Sequence, residues 1–152
     1  MLSKQKAKET EMTENEFKVC VVNCNGIGRL SSTIVRQAGY LLAKMRPKQV
    51  ILLSAVALSV GEVEQMEVLK KHSLLIIDGC RPHCATALAN ELGKKPAATL
   101  YAPDVAAVKK ISLSGEKRRG LGKRGMELAQ AIADKAAEEV DRIIAEEMLS
   151  TL

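Results

Sequence analysis

Four short aliphatic runs alternate with longer amphipathic stretches along this 152-residue chain. That alternation predicts one α/β domain in three layers, a parallel sheet of about four strands between helices. Two further features support it. The runs are apolar at nearly every position, as strands buried on both faces must be. The stretches between them are long enough for right-handed helical crossovers.

Residues 1–15 are polar and aperiodic and read as a disordered tail, leaving residues 16–150 as a single domain. FKVCVVNC (residues 17–24) is the first strand. SSTIVRQAGYLLAK follows with Ile34, Val35, Ala38, Leu41 and Leu42 at helical spacing, and Pro47 closes that helix. QVILLSAV is the second strand. Gly61 then precedes EVEQMEVLKKH, in which Val63, Met66 and Leu69 recur at helical steps. SLLIIDG is the third strand, PHCATALANEL a helix stopping at Gly93, and AATLYAP the fourth strand. DVAAVKKI makes a short helix ahead of a mobile basic loop over about residues 112–124. The last helix, about 124–148, sets Met126, Ala129, Ile132, Ala133, Ala136, Val140, Ile143 and Ile144 on one face, opposite Glu and Lys.

Phe17, Tyr40 and Tyr101 are the only aromatic residues, so the core must be aliphatic. Their scarcity also argues against a single-strand nucleic-acid binder, which needs stacking platforms. The net charge of +5 is concentrated in KKISLSGEKRRGLGKR (residues 109–124), a block that reads first as a solvated loop. The first sixteen residues carry no apolar leader core, and the longest apolar stretch, residues 50–60, is too short to cross a bilayer. These features predict a cytoplasmic protein without a membrane partner, a setting in which paired thiols serve metals or catalysis more often than disulfides.

In such Rossmann-like sheets ligands collect at the carboxyl ends of the strands, where chain order reverses. Three loops fall on that rim: one from Cys24 to Arg29, one from Ser54 to Gly61, and one from Asp78 to Cys84. Cys20 and Cys24 lie four apart in an extended run, on one side of the strand but roughly 13 Å from each other. They cannot share a metal while that strand is regular, and Cys20, between valines, reads as a core residue. Gly79 supplies a tight turn after Asp78, and Pro82 suits the first turn of the helix that follows. Cys80 and Cys84 then flank a helix start, whose dipole and free N–H groups lower a thiol's pKa. With the third strand beside the first, Cys24 joins Cys80 and Cys84 in a thiolate site suited to zinc. His83, Ser54 or Ser59 are candidates for the fourth ligand, as are a water and a substrate. Cys20, after a distortion of its strand, or a partner copy in a homodimer are the remaining ways to complete the set. Asp78 is placed to support the ligands or form the turn.

DGCRPHCA together with CNGIGRL resembles the DGC-domain family, named for its Asp-Gly-Cys motif. The likeness spans about residues 18–103. It implies zinc bound through four cysteines, three of which correspond to Cys24, Cys80 and Cys84. The fourth family cysteine is expected after the second strand, where this chain has LLSAVALSVG, with Ser54 or Ser59 in place of a thiol.

Three other chemistries use the same residues. CNGIGR is one residue short of the Cys-to-Arg loop of low-molecular-weight tyrosine phosphatases, in which Cys24 would be nucleophile and Arg29 anion clamp. Gly26, Gly28 and Arg29 could hold an anion at a helix N-terminus. Cys80 and Cys84 could be a redox pair, or contribute to an iron–sulfur cluster, which normally requires four thiolates. His72 and His83 are the only histidines, and neither is placed by sequence as a general base. Whether the site is catalytic, structural or metal-handling stays open at this level.

Overall fold

The aliphatic runs pair into one sheet because each carries apolar side chains to both faces and can be satisfied only between two layers of helix. A computed structural model describes residues 17–152; the tail expected at residues 1–15 lies outside the described residues. Its elements are β1 (Val19–Asn23), α1 (Leu30–Met45), β2 (Val50–Leu53), α2 (Ala55–Ser59), α3 (Val63–Lys71), β3 (Ser73–Asp78), α4 (Cys84–Glu91), β4 (Ala98–Tyr101), α5 (Ala102–Lys109) and α6 (Lys123–Ser150). All strand pairs are parallel, in the order β2-β1-β3-β4. This is the predicted three-layer α/β architecture. Chain order reverses between β1 and β3, whose carboxyl ends therefore border the crevice where such folds bind ligands.

Strand alternation sorts the core into two halves. Val19, Val21, Leu75, Ile77 and Leu100 face α1, α5 and α6. Cys20, Val22, Leu53, Leu74 and Ile76 face α2, α3 and α4. Asn23, at the end of β1, is buried, and its side-chain amide donates to the Val35 carbonyl at 3.2 Å, tying β1 to α1.

Four local features differ from the sequence reading. The second strand stops at Leu53, because the Ser54 hydroxyl accepts from the Ala57 N–H at 3.2 Å and caps α2. Pro82 precedes α4 rather than occupying its first turn, since a turn closed by the His83 N–H on the Cys80 carbonyl (3.0 Å) comes first. Met126 is exposed; Leu128 takes its place on the buried face of α6, beside Ala129, Ile132, Ala136 and Val140. The strand also ends before Cys24. That thiol consequently leaves the Cys20 face and packs with the α1–α6 half of the core.

The basic loop is anchored to the rim. The Thr33 hydroxyl donates to the Arg118 carbonyl (2.9 Å), and the Arg118 guanidinium donates to the Gly28 carbonyl (3.0 Å). Glu116 accepts from the Gly122 N–H at 2.6 Å and caps α6, whose own N-cap is a glycine. The N–H groups of Gly125, Gly122 and Arg124 hold the Glu116 carboxyl below the usual carboxylate range.

Ile132 is completely buried between α6 and the sheet. Ile132→Ala should lower unfolding free energy by about 2–5 kcal/mol, read from a denaturant midpoint. Met126→Ala should change it by less than about 0.5 kcal/mol.

Candidate functional site

The rim between β1 and β3 is built around a buried carboxyl group. Asp78 ends β3 with no exposure to solvent. It accepts from the Ala85 N–H at 3.0 Å and from the Thr86 hydroxyl. His83 precedes α4 in its N-cap position and makes no side-chain cap, so Asp78 supplies the cap across the turn. The His83 ring lies with Nδ1 3.4 Å from the same carboxylate and stacks on Tyr101, centroid to centroid 4.6 Å.

To reach that position His83 adopts a left-handed backbone, φ 49° and ψ 51°, a conformation uncommon outside glycine. Gly79 does not adopt a positive φ. Its role is close approach: a Cβ there would stand 3.1 Å from the Ser31 carbonyl oxygen. The turn after β3 is thus pressed against the start of α1, and the strained residue is His83 rather than the glycine.

Register brings Cys24 to the same place. Asn23 pairs with Ile77, and the Cys24 N–H continues the ladder onto the Ile77 carbonyl at 3.2 Å, which sets Cys24 beside Asp78. The Cys24 thiol is buried and lies 3.3 Å from the Ser32 hydroxyl. Cys80 is half-buried in the turn, and Cys84, the first residue of α4, is exposed. All four cysteines are free thiols. The Cys84 thiol is pushed up, by partial desolvation first and then by the charges of Cys24, Cys80 and Asp78; its own backbone N–H pulls the other way. The helix start was expected to lower it, but desolvation, reinforced by the neighbouring negative charges, prevails.

The candidates for a fourth ligand are dispersed. Cys20 lies on the opposite face of the sheet, its thiol donating to the Val68 carbonyl at 3.5 Å and pushed up to about 11 by burial, with Lys94 opposing. Ser54 caps α2 at the end of β2, and Ser59 is exposed, donating to the Val56 carbonyl at 2.7 Å. His83 faces Asp78. Gly26 abuts the Ser32 hydroxyl (a Cβ there would lie 3.2 Å away), whereas Gly28 has open space. Arg29 lines a cavity that also receives Cys80 and Arg81, and Cys24 is not part of that wall. Among the described residues, no three His, Cys, Asp or Glu side chains gather closely enough to hold a metal ion together.

Sequence reasoning did not anticipate Thr86, the Asp78–His83 contact, Tyr101 or Arg81. Only Thr86 had a visible signal, as a hydroxyl in the first turn of a helix that follows a buried Asp.

Fold and rim define a parallel-sheet α/β protein with free thiols at its topological switch point. The family model of the DGC domain matches residues 20–122, and the chain belongs to the DGC-domain family. No curated protein and no solved structure matches it. Among the described residues no helix is long and apolar enough to cross a membrane.

Asp78→Ala leaves the Ala85 N–H and the Thr86 hydroxyl without their acceptor. It should cost about 1–3 kcal/mol in denaturant unfolding, and Asp78→Asn, which keeps an oxygen there, should cost less. In metal-free protein, alkylation of Cys84 followed by mass spectrometry should show a pH midpoint above the ordinary thiol value. Cys24→Ser and Cys80→Ser should each lower that midpoint. A wild-type midpoint below the ordinary value would contradict the charge arrangement.

Proposed function

We propose that this DGC domain is a metal-binding module in which Cys24, Cys80 and Cys84 take a zinc ion at the carboxyl rim of the sheet. The observation that carries the reading is the β1–β3 register, which sets Cys24 beside Asp78 while Cys80 and Cys84 occupy the turn and helix start that follow. Three free thiols near one crevice form a soft donor set of the kind zinc prefers. The mutual influence of their charges on Cys84 is the repulsion that a bound cation would relieve.

The donor chemistry fits zinc, while the side chains as they stand do not surround one point. Closing the site falls to Cys80 and Cys84, one half-buried and one exposed, and therefore able to turn toward the fixed, buried Cys24. Asp78 would hold the turn in place through α4 and His83. With three protein ligands a fourth position stays open, and zinc there supplies Lewis acidity or an acidic bound water. A partner copy or His83 closing that position would make the site structural or metal-handling instead. Cys20 and Ser54 are less suited, the first lying on the opposite face of the sheet with its thiol on the Val68 carbonyl and the second engaged by the Ala57 N–H at the end of β2.

Titrating chelator-stripped protein with Co²⁺ tests this. Thiolate-to-cobalt absorption should saturate near one equivalent and be displaced by Zn²⁺, with protons released as the thiols ionise. Cys84→Ser, at an exposed position, should weaken binding by at least the roughly tenfold that loss of an outer-shell partner costs. Cys20→Ser should leave it unchanged. Absence of a thiolate band in wild type, or equal loss in Cys20→Ser, would overturn the assignment.

A further inference from the structure

Beside the thiols, between the start of α1, the turn after β3 and the start of α5, lies a cavity of about 700 Å³. Its floor is aliphatic. Ile34 and Leu128 come up from the core, Ala106 from α5, and Ile111 and Leu113 from the loop ahead of α6. Its rim is cationic. Arg29 and Arg81 both line it and are exposed, and among the described residues neither forms a salt bridge or a side-chain hydrogen bond. Arg118 is held close by through its bond to the Gly28 carbonyl, next to Arg29. Cys80 and Tyr101 form part of the wall.

An apolar pocket of this size with a few polar groups at one side is the usual form of a small-molecule site. The position at the switch point is where open α/β sheets hold ligands. Two unpartnered guanidinium groups select the ligand's polar end, because Arg pairs bidentately with carboxylate and phosphate oxygens. The amino end of α1 contributes a dipole of the same sign.

We propose that this cavity binds a small amphipathic anion, a carboxylate or phosphate monoester on an apolar body, with the charged group on Arg29 and Arg81 and the body against Ile34, Ala106 and Leu128. Both headgroups share the same recognition chemistry. The proposal concerns a ligand of the domain and stands whether or not the thiols hold a metal.

Octyl phosphate, octanoate, octanol and inorganic phosphate are the probes, added below their aggregation limits to the full-length protein in chelator, so that no metal masks a thiol. Affinity is read from backbone amide shifts, and occupancy from the alkylation rates of Cys80 and Cys84. Cys80 lines the cavity and Cys84 does not, so each molecule carries its own control. At least one of the two octyl anions should bind tenfold or more tightly than both octanol and inorganic phosphate, and should slow alkylation of Cys80 but not of Cys84. Whichever octyl anion binds tighter identifies the headgroup class. Arg29→Gln with Arg81→Gln, both exposed and outside the core, should reduce anion binding at least tenfold and leave octanol unchanged. Equal binding of octanol and the anions, binding of inorganic phosphate as tight as that of octyl phosphate, or slowing of both cysteines alike would each overturn the proposal.

Discussion

A carboxyl group shut away from water is costly unless hydrogen bonds answer it, and meeting that demand at Asp78 arranges most of the rim. The carboxylate takes the Ala85 N–H and the Thr86 hydroxyl, so α4 must begin within reach of the end of β3. It also faces His83, which enters the left-handed region to bring its ring between Asp78 and Tyr101. A turn this tight brings Gly79 against Ser31, where a side chain would crowd the α1 backbone. Cys80 and Cys84 are carried on the same turn. Their placement is thus a consequence of how one buried charge is satisfied, and strain at His83 is of the kind that persists where surrounding structure over-determines a residue.

The fold was legible because its signals are redundant. Each strand is a run of apolar residues bounded by a turn, and α6 repeats its aliphatic stripe over about five turns, so one misplaced residue such as Met126 does not disturb the pattern. The adjacency of Cys24 to the Asp78 turn was also legible, following from the strand order expected of a doubly wound sheet. What failed to show was local and short in range. QVILLSAV reads as continuous strand until the Ser54 hydroxyl is seen to compete for the Ala57 N–H. The face occupied by Cys24 could not be read from period-2 alternation, because the strand ends one residue before it.

Other parts of the site were hidden because they depend on pairs distant in sequence. Tyr101 reaches His83 from the next strand, and Arg81 lines one cavity with Arg29 only because β1 and β3 are neighbours. The acidity of Cys84 shows the same limit. A helix start alone lowers a thiol's pKa, and sequence displays the helix start. Burial at the assembled rim comes first in reversing the direction, and the charges of Cys24, Cys80 and Asp78, brought together by the pairing of β1 with β3, add to it.

The rim has two electrostatic halves that meet at Cys80. On one side stand Asp78 and the thiols, the donor set proposed for zinc; on the other, Arg29, Arg81 and the anchored basic loop surround an apolar hollow. Cys80 belongs to both, as a candidate metal ligand and as part of the cavity wall. Were both proposed ligands to bind, Cys80 could not turn toward Cys24 and keep the same contact with a molecule in the cavity, so occupancy of one half would change the free energy of occupying the other. By linkage that effect has one magnitude read in either direction. A cation drawing Cys80 away would alter the cavity's affinity by the same factor by which a bound anion would alter the metal's. The short turn from Asp78 to Cys84, held by the hydrogen bonds of Asp78 to Ala85 and Thr86, is therefore where the two halves of the rim are joined.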